Sequence, residues 1–181
     1  MAFPDSFSTA RLFAERLTLG HLPELRRMFA DPVVMAHLGG VRDEQHTAAY
    51  LERNLRHWAD YGFGLWILNE LGGTDPIGRA VLRHLHVDGV DEIEVGYAFY
   101  PEFWGRGLAT EVTTACLGFG FRELGLTTIV AVTSPGNVAS QHVLTKAGLV
   151  YEREFGHEGA VWSLFRTRDR PAVAPSNLPA R

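Results

Sequence analysis

The sequence Trp104-Gly105-Arg106-Gly107-Leu108-Ala109-Thr110-Glu111 joins a segment with the pattern of a β-strand to a segment with the pattern of an α-helix. Residues 93–100 alternate bulky side chains with small or carboxylate ones and stop at a proline, which is typical of a strand. Apolar residues then recur at helical spacing, at Leu108, Val112, Ala115 and Phe119. A glycine-bearing turn that runs into a helix gathers unpaired backbone N–H groups at the positive end of the helix dipole. The sequence therefore predicts an anion-binding site at this turn.

Two glycines in this turn suit a pyrophosphate ligand. Gly105 and Gly107 lack a Cβ, which lets an anion approach the backbone, and Arg106 can reach a phosphate oxygen. A purely structural glycine turn at the start of a helix explains the pattern equally well. Thr110 stands where the dinucleotide fingerprint has a third glycine, and no Gly-Lys-Ser/Thr follows. A nucleotide-dependent oxidoreductase and a P-loop are therefore disfavoured.

Outward from the turn, strand-like and helix-like segments follow one another along the chain. Strands are predicted at 16–19, 65–68, 77–87, 93–100, 128–132, 149–155 and 161–167. Helices are predicted to begin at residue 22, to span 43–61, to follow the glycine turn, and to span 137–146. Residues 171–181 carry three prolines and little apolar content. We therefore expect one domain over 1–170 and a disordered tail over 171–181.

Composition narrows the class of protein. The chain has 181 residues, of which 46% are hydrophobic and 21% are charged, which suits a single folded domain and excludes disorder of the whole chain. The formal net charge of −4 lacks the basic excess typical of proteins that bind nucleic acids or anionic membranes. No apolar stretch approaches the length of a membrane span, and the N-terminus lacks the pattern of a signal peptide. These features predict a cytoplasmic protein.

The cysteine and histidine content points away from disulfide and metal chemistry. The single cysteine, Cys116, falls beside the apolar stripe of the predicted helix and is expected in the core. The eight histidines form no Cys/His/Asp cluster with the spacing of metal ligands. No metal is therefore predicted.

Four motifs, in this order, carry a family resemblance. They are residues 16–19, the segment 58–66 with its Gly62-Phe63-Gly64, the strand 94–97 leading into 101–111, and residues 137–140 leading into 146–149. Together they resemble the GNAT superfamily of acetyl-CoA-dependent N-acetyltransferases, of the RimJ/RimL type that includes ribosomal-protein N-terminal acetyltransferases. The resemblance covers residues 9–167. It implies an α/β (α+β) fold, a single domain with a central, bent, mixed and mostly antiparallel sheet and helices on both faces.

The resemblance implies that acetyl-CoA binds at the glycine turn. The superfamily's Gln/Arg-x-x-Gly-x-Gly/Ala signature falls on Trp104, Gly107 and Ala109, and Trp104 departs from it. The phosphates are therefore expected to rely on backbone N–H groups. Pantetheine is expected to pair with strand backbone near Phe99, while Asn137 hydrogen-bonds its arm, caps a helix, or does both. The cofactor-binding residues implied in this way are Phe99, Trp104, Gly105, Arg106, Gly107, Leu108, Ala109, Thr110, Asn137 and Ser140.

The resemblance also assigns two proton transfers. Ser140 is expected to donate a proton to the departing thiolate, because Leu144 stands where many members have a tyrosine. The alternative is that Ser140 is a helix residue without a catalytic role and that water donates the proton. Glu94 is the expected acceptor of the amine proton, because an aliphatic amine must be neutral to attack. The alternative for Glu94 is an ion pair with an arginine of a neighbouring strand. His84, His86 or water would then take the proton.

The function implied is direct transfer of an acetyl group from acetyl-CoA to a primary amine, on a protein N-terminus or a small molecule. The expected partners are acetyl-CoA and that amine, without nucleic acid, membrane or metal, and a homodimer is common in the family. A non-catalytic acyl-CoA-binding or regulatory domain with the same fold is the alternative that the missing tyrosine leaves open. The sequence does not select the acceptor, because similar scaffolds serve many amines.

Overall fold

A computed structural model describes residues 5–157 and 159–168 of the chain. These residues form eight strands, β1 Ser6–Ser8, β2 Leu12–Arg16, β3 Leu65–Glu70, β4 Pro76–Val87, β5 Val90–Phe99, β6 Val130–Thr133, β7 Leu149–His157 and β8 Ala160–Thr167. Their helices are α1 Leu22–Ala30, α2 Pro32–Met35, α3 Glu44–Tyr61, α4 Leu108–Arg122 and α5 Val138–Lys146, with 3₁₀ turns at Leu19–His21 and Pro101–Phe103. The tail predicted at 171–181 lies outside the described residues, so the domain bounds 1–170 stay a prediction.

All eight strands belong to one sheet, in the order β1-β2-β3-β4-β5-β6-β8-β7. Neighbouring strands are antiparallel except β5 and β6, which run parallel. Parallel neighbours need a crossover connection, and α4 supplies it between these two strands. The mixed, mostly antiparallel sheet confirms the predicted fold class.

The alternating side chains of β5 show which helices cover each face of the sheet. Val95 and Phe99 belong to a buried cluster with the apolar side of α4. Ala98 and Tyr100 belong to a second cluster with α1 and α3. Because successive strand residues point to opposite faces, the sheet carries helices on both sides, as predicted. We call these two sides the α4 face and the α1/α3 face.

The strand predicted at residues 16–19 is wrong in position. Strand β2 ends at Arg16, Leu17 makes one more backbone bond to Leu65 (3.0 Å), and Leu19–His21 is a 3₁₀ turn. The backbone N–H of Thr18 donates to Nδ1 of His21 at 2.9 Å. This local bond gives the backbone a partner outside the sheet and so ends the strand.

Short elements are the other departures from the sequence prediction. Strand β1 has 3 residues and α2 has 4, which is too few to show a period, and neither was predicted. The strand expected at 128–132 begins two residues later, as β6. The long helix predicted over 43–61 is confirmed as α3, capped at its start by Asp43 and followed by Gly62 with φ +73°.

Candidate active site

An opening between β5 and β6 is the central feature of the sheet. The two strands share a single pair of register partners, Glu94 and Val130, and then part. The N–H of Tyr100 donates to Ile77 of β4 (3.1 Å), so by the alternation of a strand the amides of Tyr97 and Phe99 point away from β4. Within the described part of the chain, no strand covers this edge beyond Glu94. The edge therefore offers peptide groups to an extended ligand, near the Phe99 position that the sequence indicated.

The glycine turn lies at the end of this edge, at the start of α4. Gly105 and Gly107 have φ of +70° and +77°, in the left-handed region that favours glycine. Gly107 is the N-cap of α4, and no side chain in the part of the chain that the structure describes caps that end. A Cβ built at Gly105 would meet nothing within 4 Å. The first backbone N–H groups of α4 are thus open to an anion, which fits the predicted cofactor role of Gly105, Gly107, Leu108, Ala109 and Thr110.

Arg106 and Trp104, which the sequence also assigns to the cofactor, each have a protein partner in the structure. The Arg106 guanidinium lies 2.6 Å from a carboxylate oxygen of Glu70, so it is engaged at the end of β3. The indole Nε1 of Trp104 donates to the carbonyl of Phe99 at 2.8 Å. That bond occupies one acceptor on the open edge. A ligand that pairs with β5 is left the other peptide groups of Tyr97 and Phe99.

Arg11 is a cation beside the turn that the sequence did not indicate. Its guanidinium donates to the carbonyl of Arg106 and to Glu111, both at 2.7 Å, and its Nη2 lies 3.5 Å from where a Cβ on Gly107 would be. Burial raises the pKa of Glu111, but hydrogen bonds from Thr9 and Arg11 outweigh it and leave that pKa lowered. The ionised Glu111 therefore holds Arg11 against the turn.

Asn137 and Ser140 lie together at the start of α5, across the opening from β5. The side-chain oxygen of Asn137 accepts the backbone N–H of Ser140 at 3.1 Å, which is an N-cap. Its amide nitrogen has no partner among the described residues and remains available to a ligand carbonyl. The two interpretations of Asn137, as a helix cap and as a cofactor donor, are thus compatible.

A tyrosine that the sequence did not select as a site residue joins this group. The hydroxyl of Tyr97 on β5 lies 3.0 Å from the Ser140 hydroxyl, so the pair spans the opening on the α4 face. Burial raises the pKa of Tyr97 to about 12, against a smaller lowering by the Ser140 hydrogen bond. Leu144, at the position where a tyrosine is more usual, is buried in the core. Tyr97 and Ser140 therefore place two protonated hydroxyls at the edge.

Glu94 lies on the other face, at the point where β5 and β6 part. Its side chain is buried and pairs with Nε of Arg83 on β4 at 2.7 Å. The Glu94 carboxylate raises the pKa of Arg83, against the effect of burial. The structure thus contains the ion pair that the sequence offered as the alternative for this residue. The ion pair fixes the position of the buried carboxylate on the strand residue at which β5 and β6 part.

The remaining titratable candidates lie apart from Glu94. Because Arg83 shares the face of Glu94, its strand neighbours His84 and His86 point to the opposite face. His84 contacts His57 at 3.1 Å and His86 pairs with Asp91 near the hairpin turn at 2.8 Å. Cys116 is fully buried and burial raises its pKa to about 12, as expected of a core thiol.

Among residues 5–157 and 159–168, no group of three or more His, Cys, Asp or Glu side chains is placed to hold a metal ion. In the same part of the chain, no helix is both long enough and apolar enough to cross a membrane.

Similar proteins share this arrangement of elements. Residues 11–150 match the family described as Acetyltransferase (GNAT) domain. The Bacillus subtilis protein YoaA, named an uncharacterized N-acetyltransferase, is 33% identical over 132 residues, which cover 68% of this chain and 70% of YoaA. The structure of an acetyltransferase from Agrobacterium tumefaciens superposes with a TM-score of 0.81 at 25% identity, over 93% of this chain and 96% of that one. RimL, a ribosomal L7/L12 alpha-N-protein acetyltransferase in complex with coenzyme A, superposes with a TM-score of 0.71 at 14% identity, over 93% and 98% of the two chains.

Proposed function

The chain belongs to the GNAT family of acetyltransferases, and from this premise we propose that it transfers an acetyl group from acetyl-CoA directly to a primary amine, as an enzyme of the RimJ/RimL type. The observation that carries the proposal is the unpaired edge of β5, which ends at an uncapped helix N-terminus. Coenzyme A carries an extended, amide-rich arm joined to a pyrophosphate. The edge suits the arm, and the turn suits the pyrophosphate.

Several groups of this chain would hold the donor substrate. The backbone N–H groups of residues 105–110 bind the pyrophosphate, and the cation of Arg11 lies beside them. Peptide groups of Tyr97 and Phe99 pair with the pantetheine arm from one side of the opening. The free amide nitrogen of Asn137 donates to it from the other side. When bound, acetyl-CoA supplies an acetyl group activated as a thioester.

Two sets of residues on opposite faces of β5 handle the protons of the transfer. As the amine nitrogen forms its bond to the acetyl carbon, the carbon–sulfur bond breaks and the sulfur leaves as a thiolate. The Ser140 hydroxyl donates a proton to that thiolate and recovers one through Tyr97 or water. On the other face, the Glu94 carboxylate takes the proton that the amine loses, directly or through water, while Arg83 fixes its orientation. No covalent enzyme intermediate is needed.

A screen of primary amines tests this function. Purified protein is incubated with acetyl-CoA and a library of small amines and short peptides, and release of the CoA thiol is followed. Amine-dependent thiol release, with a mass increase of the amine by one acetyl group, is expected. Tight binding of acetyl-CoA by isothermal titration without turnover of any amine would instead favour a non-catalytic acyl-CoA-binding domain.

A further inference from the structure

A group of arginines surrounds two aromatic rings on the α1/α3 face of the sheet. Arg79 and Arg83 lie on β4, directly opposite Ala98 and Glu94 of β5. Tyr50 of α3 and Phe29 of α1 pack edge to face above them, with ring centres 4.9 Å apart. Arg42 follows α2, where its backbone N–H donates to the carbonyl of Phe29 at 2.9 Å. We call Arg42, Arg79, Tyr50 and Phe29 the arginine cluster.

Two guanidinium groups of the cluster share the same rings. The Arg42 guanidinium lies 4.9 Å from the centre of Phe29 and 5.3 Å from that of Tyr50. The Arg79 guanidinium lies 5.5 Å from the centre of each. Two cations this close repel each other in a partly dry site. Burial lowers the pKa of Arg42, and repulsion from Arg79 and other arginines lowers it further, against attraction by Tyr50.

Two polar groups of the cluster are buried without a hydrogen-bond partner among the described residues. Arg79 is 8% exposed, and its buried Nε has no hydrogen-bond partner in the described part of the chain. The hydroxyl of Tyr50, a residue 3% exposed, also has none there. Within the same part of the chain, neither Arg42 nor Arg79 forms an ion pair with a carboxylate, whereas Arg83 has Glu94. A buried guanidinium without a counterion costs several kcal/mol, so it is expected only where a ligand supplies the charge.

Arg42 is the member of the cluster that reaches a surface cavity. It lines a cavity of about 340 Å³ between α1 and the start of α3. Two carboxylates also line this cavity, but both have other partners. Asp43 accepts from His46 at 2.8 Å, and Glu44 pairs with Arg26 at 3.7 Å. In this cavity, neither Asp43 nor Glu44 is bonded to Arg42, so an anion that enters it would not compete with these carboxylates for the guanidinium.

The cluster lies on the same face of the sheet as Glu94. Arg79 and Arg83 are both on β4, opposite Ala98 and Glu94, and Glu94 is the residue at which β5 and β6 part. The segment between α2 and α3 that holds Arg42 also crosses the opening, because Nδ1 of His37 lies 3.0 Å from the hydroxyl of Ser134, which follows β6. The segment that carries Arg42 therefore begins close to the end of β6, one of the two strands that border the opening.

We propose that Arg42, Arg79 and the Tyr50 hydroxyl bind a carboxylate of the acceptor, so that the acceptor is a primary amine that also bears a carboxylate. This inference rests on the proposed function, because it places the amine at Glu94. Guanidinium forks and a phenol match the planar, bidentate geometry of a carboxylate. The carboxylate can belong to a small amino acid or to an acidic side chain near a peptide N-terminus, and the chemistry of recognition is the same.

Matched amines test the inference and identify the source of the carboxylate. One pair is 4-aminobutyrate and its carboxamide, and the other is the peptides Ala-Asp-Ala-amide and Ala-Asn-Ala-amide. In at least one pair, we expect kcat/KM for the carboxylate to exceed that for the carboxamide by about 100-fold, since two charge-assisted hydrogen bonds are lost. The pair that shows the preference gives the source. Equal turnover within both pairs would overturn the inference and leave the proposed acetyl transfer intact.

A binding experiment without acetyl-CoA separates this inference from the proposed function. Glutarate, but not glutaramide, is expected to raise the melting temperature of the wild-type protein. In Arg79→Met this rise disappears, while the melting temperature of the free protein increases because a buried unpaired cation is removed. Arg122→Met is the matched control, since Arg122 also stacks on a ring, that of Phe119 at 5.9 Å, but on α4.

The other outcomes of the binding experiment each support or overturn the anion site. If Arg79→Met does not fold, Tyr50→Phe provides the same comparison, because it removes only a hydroxyl without a described partner. A glutarate effect that depends on Arg79, with no amine acetylated, would support the anion site and reject the proposed acetyl transfer. A glutarate effect equal in wild type, Arg79→Met and Tyr50→Phe, or absent from all three, would overturn the inference.

Discussion

The two faces of β5 border the same opening but carry different polar groups. On the α4 face, Tyr97 and Ser140 form a neutral pair in which each hydroxyl has the other as partner. On the α1/α3 face, Glu94 pairs with Arg83. Arg79, whose Nε has no hydrogen-bond partner among the described residues, lies further along β4. Neutral hydroxyls that bond each other cost little to bury, whereas an unpaired guanidinium costs several kcal/mol.

This difference indicates that acceptor specificity and proton donation to the thiolate depend on opposite faces of β5. In the proposed reaction a thiolate leaves in the same way for every acceptor, so a general proton donor on the α4 face is sufficient. The acceptor differs between enzymes of one fold, and the charges that we propose to recognise it lie on the α1/α3 face. We also expect the charged face to lower the free energy of unfolding of the protein without ligand.

The largest expected effect comes from the glycine turn, on which both faces depend. Gly105→Glu places a carboxylate in open space beside the proposed pyrophosphate site. We expect the affinity for acetyl-CoA to fall about 100-fold or more by isothermal titration, because like charges repel strongly at a few ångströms. Gly105→Gln is the control, with the same size and the same strain at φ +70°. An equal loss of acetyl-CoA affinity in both variants would contradict the placement of the pyrophosphate at the glycine turn.

Glu94→Gln is expected to have the next largest effect, and it acts on the charged face alone. We expect kcat to fall about 100-fold at neutral pH, with acetyl-CoA affinity unchanged. An aliphatic amine with a pKa near 10 loses its proton in solution as the pH rises, so part of the loss should be recovered at high pH. Steady-state rates between pH 6 and 10 measure this.

A second variant separates the proton role of Glu94 from its ion pair. Glu94→Gln leaves the Arg83 cation without its carboxylate, and the free energy of unfolding should fall by about 3–5 kcal/mol. In the double variant Glu94→Gln with Arg83→Gln, stability should return in part and turnover should stay low. A double variant that regains turnover would show that the single variant fails through folding.

Ser140→Ala tests the neutral face and is expected to lower kcat about tenfold, since water can replace the serine as donor. The Michaelis constant for acetyl-CoA should stay nearly the same. With a pKa of about 12, Tyr97 stays protonated below pH 10, so the loss should be the same between pH 6 and 9. A loss that shrinks as the pH rises, like that of Glu94→Gln, would contradict the separation of the two faces.

Asn137→Asp should have the smallest effect and isolates the amide nitrogen. Aspartate keeps the N-cap to Ser140 but removes the donor proposed for pantetheine. The affinity for acetyl-CoA should fall about fivefold to tenfold in isothermal titration, with kcat preserved. Asn137→Ala should lose the same affinity and about 1 kcal/mol of stability as well. If Asn137→Asp left the affinity for acetyl-CoA unchanged, the role of Asn137 would be limited to capping the helix.

Local patterns made part of the fold and site predictable. The glycine turn, α4 and the two faces of β5 follow from spacing within a few residues, as does the capping position of Asn137. The strand expected at 16–19 failed because a bond between Thr18 and His21 competes with the sheet, and composition alone does not show it.

Contacts between residues that are far apart along the chain could not be predicted from local sequence patterns. Arg11 meets Glu111 across 100 positions, and Tyr97 meets Ser140 across 43. The opening itself depends on where β6 leaves β5, which is a matter of tertiary geometry. The arginine cluster was missed for the same reason, since its members come from α1, α3, β4 and the segment after α2. No spacing in one chain segment marks them as neighbours.

The single register pair between β5 and β6 also bears on how the sheet unfolds. It leaves β1 to β5 and the β6–β8–β7 group joined by one backbone link, Glu94 with Val130. Amides of β7 and β8 should therefore exchange hydrogen for deuterium through partial openings that leave β4 protected. A bound acetyl-CoA lying along β5 would act as the missing strand and tie the two groups into one cooperative unit. The donor substrate would then be a structural member of the sheet, whose departure after each reaction loosens three of its eight strands.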